Sequence, residues 1–114
     1  EAGASEVLLS CNDRWALMHE RREAAEVTLD ELLAHLSPCD LVLIEGYKNA
    51  PYPKVEVHRA ANQKPLLLAS APDHIVAVAS DTAIALPPGI NLPLFDLSDR
   101  EGVANFILSY LGLT

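Results

Sequence analysis

The chain has 114 residues, half of them hydrophobic and 21% charged, with 16 acidic against 8 basic residues and a net charge of −8. That length and composition fit one small globular domain with a modest core and exclude a disordered chain. So acidic a surface repels phosphate backbones and excludes nucleic acid as the expected partner, whereas a single nucleotide stays open, because local N–H groups and a metal can hold its phosphates.

Glu6–Ser10 (EVLLS) is an apolar run of strand length, and Trp15–Met18 (WALM) is a second, weaker one. The CNDR between them carries an Asn-Asp turn signal and predicts a hairpin. Thr28–Leu36 (TLDELLAHL) is the first clear helix. Thr28 and Glu31 form a capping-box pattern, Leu29, Leu32, Leu33 and Leu36 make one apolar stripe, and Ser37-Pro38 ends it. Asp40–Ile44 (DLVLI) is apolar without alternation, the pattern of a central strand covered on both faces. The two-proline loop NAPYP follows at Asn49–Pro53. Lys54–Arg59 (KVEVHR) alternates like a half-exposed strand. Leu66–Ala69 is expected as a short strand or turn, Ile75–Ala79 (IVAVA) as a second fully apolar strand, and Leu94-Phe95 as a last short one. Ser98–Leu111 reads as the final helix, capped by Ser98 or Asp96 and stopped by Gly112, with Val103, Phe106, Ile107, Tyr110 and Leu111 as its buried stripe. The order is mixed α/β with central parallel strands.

Chemistry concentrates at two strand ends. The run Leu41–Lys48 (LVLIEGYK) is an apolar strand ending in a carboxylate and a glycine. In open α/β sheets ligands sit at the carboxyl ends of strands, where Glu45 could hold Mg²⁺ and Gly46 would let the backbone pass close to phosphates; the bland alternative is a simple strand end. Ile75–Asp81 repeats the arrangement. Asp81 reads either as a turn or cap, or as a carboxylate accepting N1–H and the 2-amino group of guanine. Lys48, Lys54 and Arg59 are basic residues near this site, either solvated or contacting phosphate. His19, His35, His58 and His74 are scattered, with no pairing that suggests zinc, and no serine or cysteine sits in a nucleophile motif. Cys11 and Cys39 fit neither a zinc knuckle nor a CxxC pair and are expected to be small buried residues of a reducing, cytoplasmic protein. No apolar run reaches the ~18–20 residues that span a bilayer, so no membrane partner is expected. The opening EAGASEVLLS has no basic region like that of a signal peptide.

Taken together these stretches resemble the MobB family, the molybdopterin-guanine dinucleotide biosynthesis adaptor proteins. The likeness is carried in order by AGASEVLLSCNDRWAL at Ala2–Leu17, DLVLIEGYK at Asp40–Lys48, PKVEVHR at Pro53–Arg59, IVAVASD at Ile75–Asp81, and the carboxy-terminal FDLSDREGVANFI. The resemblance implies a phosphate-binding-loop (P-loop) NTPase-like α/β fold, a mostly parallel sheet flanked by helices, treated as a single domain over residues 1–114. It implies GTP with Mg²⁺ as ligands, weak GTPase activity, molybdopterin as a possible ligand, a molybdopterin guanylyltransferase as partner and a homodimer. Carried over by position, Glu45 takes the acidic place of the Walker-B-like strand near Mg²⁺. Gly46 and Lys48 stand beside it in the nucleotide site, and Asp81 falls near the expected base site.

One departure limits the resemblance. The family's G-x-x-G-x-G-K-T loop is not found: the glycines are Gly3, Gly46, Gly89, Gly102 and Gly112, and none is followed by Lys and Ser or Thr. The fold is therefore expected to be incomplete, with the N-terminal strand and P-loop absent. By itself the chain should neither bind GTP tightly nor hydrolyse it. An uncovered sheet edge is expected to drive self-association. Two alternatives remain: a non-catalytic interaction module that binds the guanylyltransferase or the cofactor without nucleotide hydrolysis and, ranked lowest, an unrelated enzyme using Glu45 and Asp81 as an acid–base pair.

Overall fold

A strand exists only where a neighbour takes its hydrogen bonds, and pairing decides which apolar runs of this chain become sheet. The computed structural model describes residues 3–22 and 25–114; Ala2, the start of the first resembling stretch, lies outside the described residues. The chain forms two units, Glu1–Cys39 and Asp40–Thr114.

In the first unit β1 (Glu6–Ser10) and β2 (Trp15–His19) form the expected antiparallel hairpin. The Cys11 N–H donates to the Arg14 carbonyl at 2.8 Å and closes the turn, and at the open end Glu6 Oε1 meets His19 Nδ1 at 3.1 Å. All ten strand residues are exposed, including Leu8, Leu9, Trp15, Leu17 and Met18. Helix α1 (Leu29–Leu33) begins as the capping box dictates: the Glu31 N–H donates to Thr28 Oγ1 and the Thr28 N–H to Glu31 Oε2, both at 3.2 Å. It is shorter than the expected Thr28–Leu36. Beyond Leu33 the chain tightens, with His35 and Leu36 donating to carbonyls three residues back, a common way for a helix to end ahead of a proline. Both cysteines are exposed, contrary to the expected burial, because Cys11 sits in the hairpin turn and Cys39 beyond the end of α1.

The second unit holds a three-stranded parallel sheet in the order β3 (Lys54–His58), β4 (Ile75–Ser80), β5 (Leu94–Asp96). Strand β4 lies between the other two. Its Ile75, Ala77, Val78, Ala79 and Ser80 are buried, as its unbroken apolar pattern requires. Leu68, from a 3-10 turn at Leu67–Ala69, closes the core against Ile75 and Val78. The Leu66–Ala69 run thus adopts the turn alternative. The crossovers pass through 3-10 turns and the Pro-rich stretch 87–93. Helix α2 (Arg100–Tyr110) follows β5, and Phe106 packs on Phe95 with ring centroids 5.5 Å apart. Asp99, not Ser98 or Asp96, caps it by accepting from the Gly102 N–H at 2.9 Å; Asp96 and Ser98 are bonded to each other. Its far end is a Schellman cap. Gly112 takes the left-handed φ of 68° that a Cβ would disfavour, while the Leu113 N–H reaches the Leu108 carbonyl at 2.8 Å. Val103, Phe106 and Ile107 are half-buried, but Tyr110 and Leu111 of the expected stripe are exposed.

The largest correction concerns Asp40–Ile44. This run is not a strand: no ladder includes it, and Val42, Leu43 and Ile44 are exposed. Both sides of β4 are taken by β3 and β5, so this segment has no place in the ladder beside it, and an apolar pattern outside a ladder does not make a strand.

Candidate functional site at the carboxyl edge of the sheet

Because β3, β4 and β5 run parallel, their carboxyl ends share one edge, with His58 in register with Ser80 and Ser80 with Asp96. Ligands of open α/β sheets bind at such an edge. Asp81 is the first residue past β4. Its N–H donates to the His58 carbonyl at 3.3 Å, and its Oδ1 accepts from the Ala60 N–H at 3.0 Å. Beneath it Ser80 is buried, its Oγ accepting from the Thr82 N–H at 3.2 Å and its carbonyl from the Leu97 N–H at 2.9 Å. Asp96 Oδ1 accepts from the Ser98 hydroxyl at 2.5 Å and the Ser98 N–H at 2.8 Å. These two hydrogen bonds, the hydroxyl first, stabilise the ionised form and hold its carboxyl below the ordinary aspartate value. Arg59, the residue after β3, completes the edge and is exposed.

Glu45, Gly46 and Lys48 lie in the exposed segment before β3. Gly46 (φ 82°) and Tyr47 (φ 51°) are both left-handed and reverse the chain, and the Ala50 N–H closes the turn on the Tyr47 carbonyl at 2.9 Å. Glycine suits the first of these positions because it has no Cβ to clash. Among the described residues the side chains of Glu45 and Lys48 engage no hydrogen bond or ion pair, and none joins this segment to Asp81. Lys54 does not belong with Arg59. It starts β3 at the opposite edge, and its Nζ donates to the Ala50 and Tyr52 carbonyls, which fastens the proline loop. Glu56 escaped the sequence reading altogether. Its two carboxylate oxygens accept from the N–H groups of Leu67 and Leu68, the latter at 2.9 Å. The alternation of KVEVHR carried the signal, since it sets Lys54, Glu56 and His58 on one face and Arg59 on the other. Among the described residues no three His, Cys, Asp or Glu side chains gather to hold a metal, and no helix is long and apolar enough to cross a membrane.

The three parallel strands define an α/β fold with its candidate ligand edge at the strand carboxyl ends, and likeness to solved structures puts it in the P-loop NTPase-like class. The solved structures that share this fold include two MobB proteins. The MobB protein homolog from Bacillus stearothermophilus matches with a TM-score of 0.66 at 27% identity, covering 97% of this chain and 73% of that one. Bacillus subtilis MobB matches with a TM-score of 0.64 at 30% identity, covering 95% and 68%. Residues 1–81 match the family described as "Molybdopterin guanine dinucleotide synthesis protein B", and the chain belongs to that family. It is similar to the molybdopterin-guanine dinucleotide biosynthesis adapter proteins of Escherichia coli (strain K12), at 33% identity over 114 residues, and of Haemophilus influenzae, at 36% over 113. Each match covers 97% of this chain but only 62% and 59% of the relative, so the chain spans about three-fifths of the length of these curated relatives.

Proposed function

We propose that the chain contributes to a GTP·Mg²⁺ site in an adapter protein of molybdenum cofactor biosynthesis, one that assists conversion of molybdopterin to its guanine dinucleotide form. The observation that carries this reading is the likeness to two such adapters over 97% of the chain. Glu45 would hold the metal. An exposed carboxylate with no partner among the described residues suits Mg²⁺, which keeps several waters and takes one or two protein carboxylates together with substrate phosphates. The metal's part would be to neutralise phosphate charge. Gly46 would admit the phosphates, Lys48 would pair with them, and Asp81 would accept the guanine edge. A guanylyltransferase is the proposed enzyme partner, molybdopterin a further ligand, and a homodimer the proposed assembly.

Glu45→Gln in the full-length protein tests the metal role. It removes the charge but keeps the size, and should abolish the Mg²⁺ dependence of GTP binding while leaving the fold intact; unchanged Mg²⁺-dependent binding would sink the assignment. A second reading for this segment is an interaction module that binds the guanylyltransferase or the cofactor without nucleotide hydrolysis; the adapter role printed for the relatives supports it. Retained guanylyltransferase binding by a protein that binds no GTP would select it.

A further inference from the structure

The connection leaving β3 is fastened at both ends by carboxylates from the sheet. Asp81, just past β4, takes the Ala60 N–H at the near end, and Glu56 on β3 takes the adjacent N–H groups of Leu67 and Leu68 at the far end. Between them lie the 3-10 turn Ala60–Asn62, the left-handed Gln63 (φ 51°) and Pro65. Leu68 itself is 1% exposed and part of the core, so the far fastening is anchored. A loop fixed in this way has lost its conformational freedom before any ligand arrives, which lowers the entropic cost of binding.

The first residue of this loop is Arg59, at the carboxyl edge and one residue before the amide held by Asp81. Its side chain is exposed and, among the described residues, engages no ion pair or hydrogen bond, although the chain carries a net charge of −8. A guanidinium presents a flat fork of donors matched to two oxygens of a phosphate.

We propose that Arg59 binds a phosphate group of the ligand at this edge, and that Glu56 is a positioning residue that presets the loop carrying it. The proposal rests on the edge being the ligand site and is independent of the metal role of Glu45. The experiment measures binding to the full-length protein without Mg²⁺, using GMP, guanosine and a phosphate monoester of a pterin alcohol as probes. Arg59→Ala should weaken a phosphorylated probe roughly tenfold or more, the usual scale for a charge-assisted contact, and leave guanosine unchanged. A loss confined to GMP assigns the phosphate to the nucleotide; a loss confined to the pterin ester assigns it to the pterin. Lys64→Ala removes the same charge from the same loop and should cost less than twofold; an equal loss would reduce the effect to net charge and overturn the proposal. Glu56→Gln keeps one acceptor oxygen. It should speed hydrogen exchange at the Leu67 and Leu68 amides and weaken only the phosphorylated probe, several-fold. Equal weakening of GMP and guanosine would mark Glu56 as merely structural and remove its positioning role. Unchanged affinities in Arg59→Ala overturn the proposal alone, whereas no binding of any probe by the unaltered protein overturns it together with the edge reading.

Discussion

Leu41–Ile44 and Ile75–Ser80 look alike in sequence and differ completely in the fold. Each contains an unbroken apolar run, Leu41–Ile44 leading straight into Glu45 and Ile75–Ala79 leading through Ser80 into Asp81. Ile75–Ser80 has β3 on one side and β5 on the other and is the best-buried element of the chain. Leu41–Ile44 has no ladder, and Leu43 is 76% exposed. The difference teaches that an apolar pattern states what a segment tolerates, while pairing decides what it becomes. Local sequence cannot supply the partner.

Placing a charge in each run gives the largest contrast. Val78 is fully buried, so Val78→Asp strands a carboxylate in the core and should cost on the order of 4 kcal/mol or more, enough to unfold the second unit. Leu43→Asp should fall within about 0.5 kcal/mol of the unaltered chain. Urea unfolding followed by circular dichroism measures both. A comparable loss from Leu43→Asp would show that the segment is paired in solution and dissolve the comparison.

The carboxylates nearby sharpen it. Glu56 is half-buried and satisfies two backbone N–H groups, whereas Glu45 is exposed and satisfies none among the described residues. Glu56→Ala should destabilise by about 2 kcal/mol, the scale of leaving such donors unpaired, and Glu45→Ala by almost nothing. Equal effects in thermal unfolding would contradict the proposed division between a bracing and a ligand-binding carboxylate.

Elements that carry their own instructions were legible in the sequence. The Thr28/Glu31 capping box starts α1, the Asn-Asp turn joins β1 to β2, alternation marks β3, and Gly112 ends α2. Asp81 was legible as an edge residue because it ends an apolar strand. Its bond to Ala60 was not, since that contact joins residues 21 apart in sequence. The role of Lys54 was misplaced for a related reason. Composition marks it as basic, but only the strand direction reveals which edge it occupies. The burial expected of Cys11 and Cys39 presumed packing that the first unit does not provide.

That first unit offers a third test of pairing. Leu8 and Leu17 are direct cross-strand partners, both exposed. If the proposed homodimer covers them, Leu8→Glu together with Leu17→Lys should shift the protein toward monomer. The opposite charges can still pair across the strands and keep the hairpin, while losing the apolar surface should weaken association by about 2 kcal/mol. Light scattering across a concentration series reads the result. An unchanged oligomer would place the interface elsewhere, and a clean monomer for the unaltered chain would remove the dimer.

The smallest effect belongs to Asp96, at the edge where the buried run ends. The Ser98 hydroxyl and N–H stabilise its carboxylate in the folded chain and lower its pKa, while the unfolded chain has the ordinary value. The sign follows from linkage. The contribution is fully present above the unfolded-state pKa and is lost as the pH falls through the folded-state one. Ser98→Ala removes the hydroxyl and leaves the backbone donor, so the Asp96 titration should move up part of the way toward the ordinary value. Carboxyl NMR across the acid range would show this shift, and the stability near neutral pH should hardly change because the group is fully exposed to solvent. An unmoved titration would mean that the backbone N–H alone sets the carboxyl, and that the serine matters only for starting the turn into α2.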